Sequence, residues 1–148
     1  LLAEAQGVST RVLDHTIYGS DRLSHEKAIH EALITAGAEV VALAGYMRVL
    51  TPWLVDQWSG RMLNIHPSLL PRYPGLNTHE RAIAAGDTEA GCTVHLVTTG
   101  VDEGPILGQA RVPVLKDDTA PVLAERVRSV EHALYSRMLD RVTADLAD

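Results

Sequence analysis

Apolar positions along the chain change their period several times, and each change marks an expected element. Val8 to Leu13 is short and rich in β-branched residues, which predicts a strand. From Ser24 the spacing turns helical, through Ile29, Ala32, Leu33 and Ala36, with Ser24 as cap and Gly37 as stop. Glu39 to Ala44 is a nearly unbroken apolar run, the pattern of a strand buried on both faces of a parallel sheet. Thr51-Pro52 supplies an N-cap and a proline at the first position of a short helix reaching Trp58. Arg61 to Ile65 reads as another strand, and Thr78 to Ala85 as a helix stopped by Gly86. Cys92 to Val97 and Ile106 to Val114 predict two more strands. Asp118 opens a long final helix whose apolar positions include Leu123, Val127, Val130, Leu134, Met138 and Val142. Three of the seven prolines fall between His66 and Gly75, so that stretch is expected to be a loop. Alternation of strands and helices over residues 1–148 predicts a single α/β domain.

The first residues carry a pattern of their own. Leu1-Leu2-Ala3-Glu4-Ala5-Gln6 is helical in its spacing from the start, has no Met, and meets a stop at Gly7. It reads as the tail of a helix that begins upstream, so the chain is expected to be N-terminally truncated. A charged head and a small-residue cleavage site, the marks of a signal peptide, are both missing from it.

Composition narrows the classes. With 148 residues, 46% apolar and 22% charged, the chain can bury a core and does not resemble a disordered segment. Thirteen Lys and Arg against 19 Asp and Glu give a formal charge of −6, which offers no broad basic surface for nucleic acid. No apolar run approaches the ~18 residues of a membrane span. A single cysteine, Cys92, excludes an internal disulfide and a multi-cysteine zinc site, and fits a reducing cytoplasm. Inside a strand-like run, Cys92 is expected to be a small buried hydrophobe. His66, His79 and His95 lack the spacing of a zinc motif, so no metal is expected.

Ligands of open α/β sheets bind beyond the carboxyl ends of strands. Three loops carry reactive groups there: Gly45-Tyr46-Met47-Arg48, Asn64-Ile65-His66-Pro67, and Val101-Asp102-Glu103-Gly104-Pro105. On an extended segment Asn64 and His66 point to the same side. An amide donor beside an imidazole suits a developing oxyanion, and Asp102 is a candidate carboxylate to favour the imidazolium and relay protons through water. That set suggests acyl transfer without a protein nucleophile. Taken bare, an Asn and a His beside a proline loop are more often structural. His15, His25 and His30 are expected at the surface, His95 and His132 in core or surface packing.

Asn64-Ile65-His66-Pro67-Ser68-Leu69-Leu70-Pro71 as a whole resembles the signature of the folate-dependent formyltransferases. The continuation Tyr73-Pro74-Gly75-Leu76-Asn77-Thr78-His79-Glu80-Arg81-Ala82 looks like the phosphoribosylglycinamide formyltransferase family rather than the methionyl-tRNA formyltransferases. Ala44 to Leu50, Gly91 to Val97 and Val130 to Tyr135 fit the same family in the same order.

This resemblance implies an open, mostly parallel twisted sheet with helices on both faces, a Rossmann-like fold, with its first βα unit missing here. It implies transfer of the formyl group of 10-formyltetrahydrofolate, as co-substrate, to the amine of glycinamide ribonucleotide in purine synthesis. By position, Asn64, His66 and Asp102 match the family's catalytic trio. Met47, Arg48, Leu50, Val97, Thr98, Val101 and Asp102 match its folate pocket. Gly45, Met47, Pro67 and Glu131 match contacts to the ribonucleotide. The implied partners are small molecules, with no nucleic acid or membrane, and the chain is a monomer or a homodimer. Family members begin with a strand, a glycine-rich loop that grips the substrate phosphate, and a helix. Without that segment, weak ribonucleotide binding and slow turnover are expected. The alternatives are an inactive folate-binding remnant and a related enzyme, methionyl-tRNA formyltransferase or formyltetrahydrofolate hydrolase.

Overall fold

The computed structural model describes residues 2–148. Four strands form one open sheet in the order β1 (Val41–Leu43), β2 (Met62–His66), β3 (Glu89–Leu96), β4 (Ile106–Pro113). β1 runs parallel to β2, whereas β3 is antiparallel to β2 and β4 to β3. The α/β class and the open sheet are as expected. Parallel pairing, expected to prevail, is confined among the described strands to β1–β2, so the sheet is mixed. One reason is local: the loop 97–105 between β3 and β4 is too short for a helical crossover, and the two strands must pair antiparallel.

Among the described residues five α-helices and a 3-10 turn (His15–Tyr18) accompany the sheet: α1 (Leu2–Ala5), α2 (Arg22–Thr35), α3 (Pro52–Gln57), α4 (Thr78–Ala84) and α5 (Ala120–Ala147). Alternation along β2 separates two apolar clusters. Leu63 packs with Cys92, Val94 and Val112 of the sheet and with Leu123, Val127 and Leu134 of α5. Met62 instead joins Leu54 and Trp58 at α3. Helices therefore cover both faces, and Asn64 and His66, in phase with Met62, fall on the α3 side. On α5, the Tyr135 hydroxyl lies 2.7 Å from Leu43 O and 3.1 Å from Leu63 O, joining the last residue of β1 to the second residue of β2.

Several expectations are corrected. Val8 to Leu13 is not a strand: no described strand pairs with it, Val12 is 89% exposed, and β-branched residues gain little without a ladder. The Glu39–Ala44 run yields only the short β1, whose Ala42 is exposed because β1 has a single neighbour among the described strands. Asp21, not Ser24, caps α2: its carboxylate accepts the Ser24 amide at 3.0 Å and the Ser24 hydroxyl at 2.6 Å. Thr51 sits at the N-cap of α3, but its hydroxyl donates to the buried carboxylate of Glu26. His25 is buried and donates from Nε2 to Leu13 O at 3.1 Å, and His30 packs edge-on to Trp53 and Trp58, so neither is a plain surface residue. Gly7, at φ 74°, follows α1 as expected, while Leu1 lies outside the described residues.

Asp118 stands before α5 rather than in it. Its carboxylate takes two guanidinium nitrogens of Arg126 and the Leu115 amide, and these hold its pKa down at about 2. A carboxyl whose pKa is lower folded than unfolded stabilises the fold above the unfolded value and loses that contribution as pH falls towards the folded one. Asp118→Asn is expected to lower Tm at neutral pH, with the gap to the unsubstituted chain closing between about pH 4 and pH 2. Thermal melts across that range check this, and a gap that ignores pH would count against it.

Candidate active site

β2 delivers Asn64 and His66, and β3 lays His95 opposite Asn64 and Thr93 opposite His66. His95 donates from Nδ1 to Leu96 O at 3.0 Å, which leaves its Nε2 as an acceptor facing the Asn64 amide nitrogen at 3.4 Å. Asp102 arrives by a longer route. Because β3 is antiparallel to β2, the loop after β3 leaves the sheet beside Met62, where the Val97 amide bonds Met62 O at 2.8 Å. The loop then folds back across the sheet face. The expectation that all three loops gather beyond one row of strand ends thus holds for those after β1 and β2 only. Folding back needs close approach at Gly104, where a Cβ would lie 1.6 Å from Leu96 O.

The return places the Asp102 carboxylate between two imidazoles. Oδ2 lies 3.4 Å from His66 Nδ1 and accepts the Gly75 amide at 2.9 Å, and Oδ1 lies 3.7 Å from His95 Nε2. Asp102 itself has φ 53°, a left-handed backbone that aspartate tolerates better than most non-glycine residues. On the far side of His66, Nε2 donates to Tyr73 O at 2.8 Å. Both neighbours of this ring are acceptors, so the imidazolium, with two hydrogens, serves both. The site is enclosed: the side chains of His66 and Asp102 are 7% and 12% exposed.

Thr93 ties the proline-rich loop to the sheet. Its hydroxyl donates to Ser68 O at 2.7 Å and accepts from the Leu70 amide at 3.1 Å and from Gln109 Nε2 at 3.0 Å.

The remaining candidates spread around this centre. Gly45, at φ 67°, turns the chain after β1, and Met47 is 75% exposed. Arg48 has a buried Nη1 with no hydrogen-bond partner among the described residues. Leu50 and Val97 pack in the Trp58 cluster, while Thr98 and Val101 are exposed. Pro67 O accepts the Thr78 hydroxyl at 2.8 Å. Glu131 is half-buried on α5, where burial pushes its carboxyl up, within electrostatic reach of Arg128, His132 and His66. Asn64, His66 and Asp102 are therefore brought together, whereas Glu131 reaches them only through space. Cys92 is fully buried and its thiol is pushed up to about 11 by burial, as befits a packing residue.

His95 corrects an earlier expectation, since it is buried between Asn64 and Asp102 rather than a packing residue. The period of two along β3 carried the signal, because Thr93 and His95 alternate with the core residues Cys92, Val94 and Leu96. Tyr73 gave no such signal, because it contributes a backbone carbonyl.

Comparison with known proteins now decides the family. A family model described as formyl transferase matches residues 1–139. The chain belongs to the formyl transferase family. Among solved formyl transferases, phosphoribosylglycinamide formyltransferase from Brucella melitensis is 52% identical with a TM-score of 0.89, covering 95% of this chain and 71% of that one. Phosphoribosylglycinamide formyltransferase from Escherichia coli (strain K12) is 45% identical over 133 residues, 90% of this chain and 62% of that protein. The trifunctional purine biosynthetic protein adenosine-3 of Bos taurus is 45% identical over 142 residues, 96% of this chain but only 14% of its own length. The open mixed sheet described above is thus that of the formyl transferase fold.

Proposed function

We propose that this chain transfers the formyl group of 10-formyltetrahydrofolate to the amine of glycinamide ribonucleotide, yielding formylglycinamide ribonucleotide and tetrahydrofolate. The supporting observation is the convergence of Asn64, His66 and Asp102, two hydrogen donors and a carboxylate within one enclosed site. Names of close relatives, phosphoribosylglycinamide formyltransferase in two cases above, support the same choice of substrates. The protein acts on small molecules in the cytoplasm, as a monomer or a homodimer.

In this reading the substrate amine attacks the formyl carbon, a C–N bond forms, and the carbonyl electrons move to oxygen. Asn64 Nδ2 and the protonated His66 donate to that oxyanion. The separation of 3.4 Å between His66 Nδ1 and Asp102 is longer than a charge-assisted bond of about 2.7–2.9 Å, so the carboxylate does not fully engage the Nδ1 hydrogen, which can be shared with the oxyanion. Asp102 holds His66 charged and, through a water, carries the proton from the attacking amine to the folate nitrogen. The bond from the formyl carbon to that nitrogen then breaks. No step needs a protein nucleophile or a metal.

For the folate, we assign Met47, Arg48, Leu50, Val97, Thr98, Val101 and Asp102, with apolar side chains against the pterin and backbone groups at its edge. The buried Arg48 Nη1, without a partner among the described residues, favours this, because a buried donor calls for an acceptor that a ligand can bring. Gly45, Met47, Pro67 and Glu131 are assigned to the ribonucleotide, with Glu131 on the ribose hydroxyls.

Incubation of the chain with both substrates, followed by the appearance of tetrahydrofolate, tests the proposal. Product is expected only when both are present. Arg48→Ala is expected to weaken binding of a folate analogue about tenfold, the scale of one lost hydrogen bond to a charged group. Tight analogue binding with no product would turn the reading towards a folate-binding remnant.

A further inference from the structure

Tyr73 connects the reaction centre to a point outside it. At one end its carbonyl accepts from His66 Nε2 at 2.8 Å and from the Ser68 hydroxyl at 3.3 Å. At the other its phenol donates to Asp87 Oδ2 at 2.7 Å. Between the two, the backbone holds φ 53°, a conformation that tyrosine adopts when its surroundings impose it.

Asp87 is well placed to impose it. The residue follows Gly86 in the turn between α4 and β3, and its own amide bonds Ala82 O at 3.1 Å, so the carboxylate projects from a fixed turn. Arg81 closes on Tyr73 from another side, with its guanidinium over the ring at 5.2 Å and Nη1 donating to Pro74 O at 2.6 Å. Arg72 also pairs with Asp87, at 3.2 Å, but its side chain is 64% exposed.

From these contacts we infer that Asp87 is a positioning residue for formyl transfer: by holding the Tyr73 phenol, it fixes the backbone whose carbonyl meets His66 Nε2. While that carbonyl is in place, His66 keeps a hydrogen on Nε2, and Nδ1 is the nitrogen that faces Asp102 and the reaction. Once the phenol is released, the left-handed backbone relaxes and the carbonyl leaves. Without an acceptor at Nε2 the imidazolium gives up the hydrogen it held there, and the neutral ring keeps its remaining hydrogen on Nδ1, donates it to Asp102 and turns away from the oxyanion. The inference rests on the role proposed above for His66, and its test reads the ring directly as well as through turnover.

The full chain labelled with ¹⁵N in its histidines is the sample, with the His66 signals assigned by their loss in His66→Ala. At a pH where the ring is neutral, the unsubstituted chain is expected to show the hydrogen on Nε2. Asp87→Ala and Tyr73→Phe are each expected to mix the two tautomers, and the double variant to add nothing further, since both act through one contact. Tyr73→Phe keeps the ring packing and so guards against simple misfolding. Arg72→Ala, which removes the other partner of Asp87, leaves the signal unchanged. In formyl transfer, kcat is expected to fall on the order of tenfold to a hundredfold with KM for both substrates unchanged, as a misplaced reacting group predicts. Folded Asp87→Ala and Tyr73→Phe proteins whose His66 signals match the unsubstituted chain would overturn the inference. A raised KM with unchanged kcat would do so too, moving Asp87 to substrate binding. Failure of the unsubstituted chain to make product would count against the proposed function, while the Nε2 signal would still decide the role of Asp87.

Discussion

His66→Ala is expected to slow formyl transfer by a factor of about 10²–10³ while folate-analogue binding stays near that of the unsubstituted chain. The magnitude follows from what the ring does alone. Asn64 remains as one oxyanion donor, so the loss is that of a single donor. Ground-state binding is spared because the residues proposed for the folate, Met47, Arg48, Leu50, Val97, Thr98, Val101 and Asp102, do not include the imidazole and touch it only through Asp102. Asp102 loses its ring partner at Nδ1 but keeps the Gly75 amide at 2.9 Å, so the carboxylate is not left bare and the loop is not released. Single-turnover rates with the analogue Kd measured alongside are the check. A variant that loses analogue binding as steeply as turnover would move His66 from the chemistry to the binding pocket.

Trp58→Ala is expected to cost about 3–5 kcal/mol of folding stability, the range for removing a large buried aromatic. Trp58 is fully buried at the end of α3, where it packs with Leu54 and Met62, and the Arg61 guanidinium lies 5.0 Å from its ring. Set against a domain stability of about 5–15 kcal/mol, that loss is a large share. Trp58→Phe provides the contrast. The indole Nε1 has no hydrogen-bond partner among the described residues, so phenylalanine removes a buried donor together with some volume. Its cost is therefore expected to be clearly smaller than that of alanine. Denaturant melts of both variants check the ordering, and equal losses would show that the indole nitrogen carries a contact of value.

Asn64 and His66 of the proposed catalytic trio were legible in the sequence, and the reason is local. Asn64, Ile65 and His66 lie on one strand, where the period of two decides which side chains share a face. The sequence offers Asp102 as a candidate carboxylate on a loop flanking a strand end, but its route back across the sheet depends on the direction of β3. Long-range pairing sets that direction, and no local pattern records it. Val8 to Leu13 failed for a related reason: its β-branched residues state a preference, and a strand also requires a partner. Asp21 was missed beside Ser24 because both residues cap helices, and only the fold shows the carboxylate taking the amide while the serine sits in the first turn. The role of Tyr73 lay beyond reach altogether, because a carbonyl leaves no trace in side-chain chemistry.

The Tyr135 hydroxyl that bonds both β1 and β2 bears on the order of events during synthesis. Residues 43 and 63 leave the ribosome before residue 135, so the Leu43 and Leu63 carbonyls gain this hydroxyl only once α5 has been made. The clamp between β1 and β2 is therefore among the last contacts the sheet acquires. A nascent chain passes through a period in which all four strands exist and the helix that covers Leu63, Cys92 and Val94 does not.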